Sequence, residues 1–182
     1  MAKQYDFLIE KALRDKAIDR VEVLERVGEL LLLPNTEYAT TEQVAKYYRV
    51  GLEAVKTIVK KHSDEIGADG YRLLSGEKTR ELLVRSKLNL TKKRGYFEAA
   101  GQKFAYNSNG FFPKRAILRV GMLLRDSEVA KEVRTRLLNI LHDVEQPSPE
   151  IIQNIVDEFD ERTQLIFKRT RAEVNGHVRR VR

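Results

Sequence analysis

The chain has 182 residues, 34 Lys and Arg against 27 Asp and Glu, a formal charge of +7 and a pI near 9.6. That length holds one or two small domains, and the positive surplus favours polyanionic partners, either nucleic acid or an anionic membrane face. The absence of cysteine excludes disulfides and a thiolate zinc site. No run approaches the ~20 apolar residues of a membrane span, and the opening MAKQYDFLIEKALRDK lacks the apolar core and cleavage site of a signal peptide. A soluble, cytoplasmic protein is expected. Phe7, Leu8, Ala12 and Leu13 predict a short amphipathic helix. Val21, Leu24, Val27, Leu30 and Leu31 predict a second over Ile18 to Leu33, stopped by Pro34-Asn35-Thr36. The leucines at 30–33 cover more than one face, so some should meet another part of the chain or a second subunit.

From Thr40 to Lys61, TTEQVAKYYRVGLEAVKTIVKK, the pattern is two short helices and a tight turn. Thr40 or Thr41 can cap the first helix, with Glu42 or Gln43 reaching back. Val44, Ala45 and Tyr48 make its inner face, Arg49-Val50-Gly51 the turn, and Val55, Ile58 and Val59 the inner face of the second helix. Lys56, Thr57, Lys60 and Lys61 then point outward. Val44, Ala45, Val50, Val55 and Ile58 resemble the apolar and small positions of the bacterial helix-turn-helix family. Arg49 departs from that pattern, since the family most often has Gly there: either Arg49 accepts a positive φ or the turn differs slightly, at a cost of about 1 kcal/mol. The resemblance implies that the second helix enters the major groove. Gly51, Leu52, Glu53, Lys56 and Thr57 would face base edges, Glu53 accepting from cytosine and Lys56 donating to guanine. Tyr47, Arg49, Lys60 and Lys61 would meet phosphates, with Thr41 beside them.

Gly67 is the expected stop of the following turn, and Asp69 to Gly76 reads either as a small wing, with Arg72 on a phosphate, or as a turn joining two helices. Glu77 to Val84 predicts a helix. Lys92, Lys93 and Arg94, next to Tyr96 and Phe97, are secondary candidates for gripping a phosphate backbone, against a plain basic loop. Phe104-Ala105-Tyr106 and Gly110-Phe111-Phe112 flank Asn107-Ser108-Asn109 as a predicted hairpin.

Pro113 suits a first helical position, and the apolar run Ala116 to Leu124 predicts a buried helix. Ser127 can cap the next, Glu128 to Val144, with Val129, Val133, Leu137, Ile140 and Leu141 inward and Lys131, Arg134 and Arg136 outward. The stretch FFPKRAILRVGMLLRDSEVAKEVRTRLLNILHD is similar to a segment of phage and prophage antirepressor-type proteins of Gram-positive bacteria, including the Bro-N group. That resemblance implies DNA binding or gene-regulatory partners.

Gln146-Pro147-Ser148-Pro149 reads as a linker into a long helix, with Ile152, Ile155, Val156, Phe159, Ile166 and Phe167 at near-heptad spacing. Such a face either pairs two chains or docks on its own domain. The tail to Arg182 is basic. His62, His142 and His177 show no metal-ligand spacing, and no phosphate loop or nucleophile motif is present. The cluster Asp157-Glu158-Phe159-Asp160-Glu161 reads as a solvated helix face, so no enzyme, metal or cofactor is expected.

These observations predict a mainly α fold: a helix-turn-helix domain over 1–84, an α+β middle domain over 85–145, and a C-terminal helix over 148–182. The expected function is sequence-specific binding of double-stranded DNA by a dimeric transcriptional regulator of phage or mobile-element type, associated with the bacterial nucleoid. The alternative is a phage-type interaction protein, an antirepressor or an inhibitor of a host protein, using its C-terminal half.

Overall fold

A computed structural model describes residues 6–145. Helices α1 (Asp6–Ile9), α2 (Lys11–Ala17) and α3 (Glu22–Val27) lead to strand β1 (Ala39–Thr40). Helices α4 (Thr41–Tyr47), α5 (Leu52–Lys61) and α6 (Ser63–Ala68) follow, then β2 (Arg72–Ser75) and α7 (Gly76–Arg85). Strands β3 (Thr91–Lys92), β4 (Tyr96–Ala99), β5 (Gln102–Ala105) and β6 (Ser108–Phe112) precede α8 (Lys114–Leu123) and α9 (Glu128–Glu145). The expected C-terminal helix, linker, basic tail and carboxylate cluster lie outside the described residues.

The fold is an α+β mixture rather than mainly α, because two three-stranded antiparallel sheets take part in it. Their strands are only two to five residues long, so any alternation is brief, and β1 meets its partner some seventy residues further along the chain. The first sheet has the order β1-β6-β2. Central β6 pairs Phe112 with Ala39 on one side and Phe111 with Arg72 on the other. β2 and β6 therefore stand as the two arms of a wing, but residues 76–107 are inserted between them. The insertion leaves and returns at one point: Ser75 lies opposite Ser108, and the Gly76 N–H donates to the Asn107 carbonyl at 3.0 Å. A Cβ at Gly76 would overlap the Tyr106 backbone, so only glycine fits there.

The insertion holds α7 and the second sheet, β3-β4-β5. Its hairpin is β4–β5, turned at Ala100-Gly101 with φ of 49° and 73°. The hairpin expected around Asn107-Ser108-Asn109 is absent, because β5 and β6 belong to different sheets. The Asn109 amide takes the place of a strand partner there, accepting from Ala105 N at 2.8 Å and donating to Ala105 O at 2.9 Å. Leu33, Leu83, Phe97, Ala99, Phe104 and Phe111 pack as one cluster joining the two sheets. The boundary expected near residue 84 does not separate two packed bodies: β6 comes from one side of it, β1 and β2 from the other, and contacts up to Asn139 form one compact unit.

The predicted helix over 18–33 is confined to α3, which ends at Gly28 in an extended conformation, leaving Leu33 buried and Leu31 52% exposed. α6 runs through Gly67, and the stop is Gly70, at φ 93°. Asp69 to Gly76 is neither a closed wing nor a plain turn: Asp69 caps α6, Arg72–Ser75 is a strand of the first sheet, and Gly76 opens α7. In α9, Ser127 Oγ accepts from Ala130 N as predicted. Arg134, expected outward, is fully buried and donates to the carbonyls of Gly121 and Leu124 at the end of α8. A long side chain carrying five donors serves those last carbonyls where no backbone partner is present.

Candidate nucleic-acid interface

α4 begins with a complete capping box. Gln43 N donates to Thr40 Oγ1 at 3.2 Å, and Thr40 N donates to Gln43 Oε1 at 2.8 Å. It ends in a Schellman turn: Val50 N bonds Ala45 O and Arg49 N bonds Lys46 O, with Arg49 at φ 53°. Of the two alternatives open to a non-glycine residue there, the turn takes the left-handed one. Val44, Ala45 and Tyr48 are buried, as is Val55 of α5.

The pair is seated from several directions. Tyr48 donates to Ile117 O at 2.8 Å, and Ser127 Oγ donates to Tyr48 O at 2.7 Å. Gly121 is required there, since a Cβ would meet the Tyr48 hydroxyl. Beneath α5, a buried ionic network ties α2, α6 and α8 together. Arg14 grips Glu65 with two bonds, at 2.8 and 2.6 Å. Arg119 reaches Glu65 at 3.2 Å, Asp69 at 2.5 Å and Asp15 at 2.8 Å. The Arg14 hydrogen bond, against the opposing effect of burial, holds the Glu65 carboxyl below its ordinary value. The four central side chains are scattered over more than a hundred residues, so no local pattern marks them.

The outward face of α5 splits into two stripes. Leu52, Lys56 and Lys60 lie toward the sheet, while Glu53, Thr57 and Lys61 lie toward the α8–α9 turn. All six are exposed. Lys56 Nζ and Glu53 Oε1 pair at 2.7 Å on the surface, an ion pair that contributes little to stability. Gly51 is also exposed, with nothing within 4 Å of where a Cβ would sit. A groove of about 490 Å³ runs between α5 and the β2–β6 arms, lined by Thr41, Leu52, Lys56, Tyr71, Leu73 and Lys103 among others. Arg72 is exposed on β2.

Tyr47 does not belong to this face. It is 9% exposed, its hydroxyl donates to Leu24 O at 2.6 Å, and burial pushes its pKa up to about 12. Its ring packs edge-on against Tyr48, 4.8 Å between centroids. An aromatic with a polar tip reads equally well from sequence as a surface donor or as a core residue with one satisfied bond. Arg49 is exposed but opens on a different hollow, near Gly28 and Gln102. Lys92, Lys93 and Arg94 are exposed at the β3–β4 connection, anchored where the Tyr106 hydroxyl donates to Lys93 O at 3.1 Å, and line none of the grooves along α5. Lys103, Tyr71 and Leu73 join the groove although their local sequence offers no motif. The alternation in β5, Lys103 out and Phe104 in, is the one legible signal.

Among the described residues no helix is long and apolar enough to cross a membrane, and no group of three or more His, Cys, Asp or Glu could hold a metal. No family model, curated protein or solved structure matches this chain.

Proposed function

We propose that the chain is a sequence-specific double-stranded DNA-binding protein, a transcriptional regulator of phage or mobile-element type acting in the bacterial cytoplasm. The observation that carries this reading is the outer face of α5. Six outward side chains are exposed, three of them lysines, on a helix held from behind by a tight turn and a buried core. Gly51, Leu52, Glu53, Lys56 and Thr57 would face base edges, and Lys60, Lys61, Arg49 and Arg72 would meet phosphates. Thr41 and Gly51 flank the start of α5, and Lys92, Lys93 and Arg94 add charge on the insertion. A dimer of the chain would place half-sites about one DNA turn apart.

The test is selection of bound duplexes from a random pool at near-physiological salt. An enriched palindrome supports a dimeric sequence reader. No enrichment by folded protein would sink the proposal. Lys56→Ala should cost about 1–3 kcal/mol on the selected site and relax its specificity at one base pair; a loss equal on all sequences would assign Lys56 to a phosphate instead.

A further inference from the structure

We propose that Leu52 is the residue by which α5 recognises thymine, through contact of its side chain with the thymine C5 methyl group. The inference rests on the duplex-reading role of α5 set out above. Leu52 opens the helix and is 41% exposed, and Leu73 of β2, 64% exposed, lines the same groove. The charged side chains lining that groove are Lys56 and Lys103, with Glu42 the one acid among them. Apolar groups left open beside a surplus of cations fit a partner that is anionic at its rims and apolar at a point within. Duplex DNA has that form: phosphates border the major groove, and the thymine methyl is the apolar group its base edges present there. A lipid surface would call for a broad apolar face, which two exposed leucines in a groove shared with Glu42, Lys56 and Lys103 do not make.

Leu52 rather than Leu73 takes the methyl because it sits at the N-terminal end of α5, the end that reaches base edges when such a helix lies in the groove. Gly51 before it leaves the approach free, with nothing within 4 Å of its Cβ position. Leu52 also needs no exchange of partners. Glu53 and Lys56 bond each other at 2.7 Å and must part before either reads a base, whereas an apolar contact only displaces water.

The experiment takes the full chain and a duplex selected from a random pool, and replaces each thymine in turn by deoxyuridine, which deletes only the methyl group. At one position per half-site the wild-type protein should bind uracil about fourfold more weakly, the effect of one buried methyl. Leu52→Ala should bind thymine and uracil equally at that position, with an unchanged thermal midpoint since the side chain is exposed. Leu73→Ala should keep the fourfold difference. Wild-type protein indifferent to every uracil, a difference that survives in Leu52→Ala, or a selected site without thymine would each overturn the assignment while leaving duplex reading intact. Failure to enrich any duplex would instead overturn the reading on which it rests.

Discussion

Arg119 shows how much a single side chain carries in this chain. It is 3% exposed and bonded to three carboxylates from α2 and α6. Removing Arg119 takes its close cation from the buried Asp69, while Glu65 keeps Arg14, so Arg119→Ala should cost about 3–5 kcal/mol. Urea unfolding would read this directly, and a loss under 1 kcal/mol would mean that water replaces the guanidinium at little cost. The same network fixes an acid dependence. The Glu65 carboxyl is held below its ordinary 4.5, chiefly by the Arg14 hydrogen bond, so its contribution is complete above pH 4.5 and is lost as pH falls from there through the lower folded-state value. The wild-type thermal midpoint should drop below pH 4.5. Glu65→Gln should start lower at neutral pH and fall less steeply on acidification; parallel curves for the two proteins would remove Glu65 from the account.

Among the elements, the α4–α5 turn separates stability from binding. Arg49 occupies the left-handed region at φ 53°, where a side chain is strained and glycine is not. Arg49→Gly should therefore raise stability by up to about 1 kcal/mol while weakening duplex binding by removing a cation. The opposite signs make the point testable with one melting curve and one titration, and a change of the same sign in both would mean that Arg49 acts through the fold alone. At the far side of the same pair, Gly121→Ala would push on the Tyr48 hydroxyl and its bond to Ile117 O, an overpacking that should cost about 1–3 kcal/mol.

At the scale of the molecule, the compact unit reaching to Asn139 closes around β6. A fragment ending at residue 84 keeps the helix pair but loses Phe111, Phe112, Ile117 and Arg119, which complete its sheet, its core and its ionic network. It should show no cooperative thermal transition; a sharp one would establish an independent N-terminal domain. Binding by the intact chain should weaken linearly with the logarithm of salt concentration. Replacing Lys92, Lys93 and Arg94 by alanine should lower that slope by roughly 2.7 if all three meet phosphates, at about 0.9 each. An unchanged slope would leave the insertion with a packing role only.

By itself, the sequence determined what local rules can set. The N-terminal cap of α4, narrowed to Thr40 or Thr41 with Glu42 or Gln43, the inward Val44, Ala45, Tyr48 and Val55, the buried run of α8 and the Ser127 cap all follow from neighbours within four or five residues. The structure then chose Thr40 with Gln43 and the left-handed Arg49. The tertiary structure decided what depends on distant partners. Tyr47 turns inward because Leu24 O is there to accept its hydroxyl, and Arg134 because α8 presents open carbonyls. The two sheets exist because β6 arrives between strands from the first half of the chain, and no window of the sequence contains both partners. The groove beside α5, with Leu52 and Leu73 on its walls, likewise belongs to the pairing of β2 with β6, since strands this short carry only a brief alternation and take their place from long-range contact.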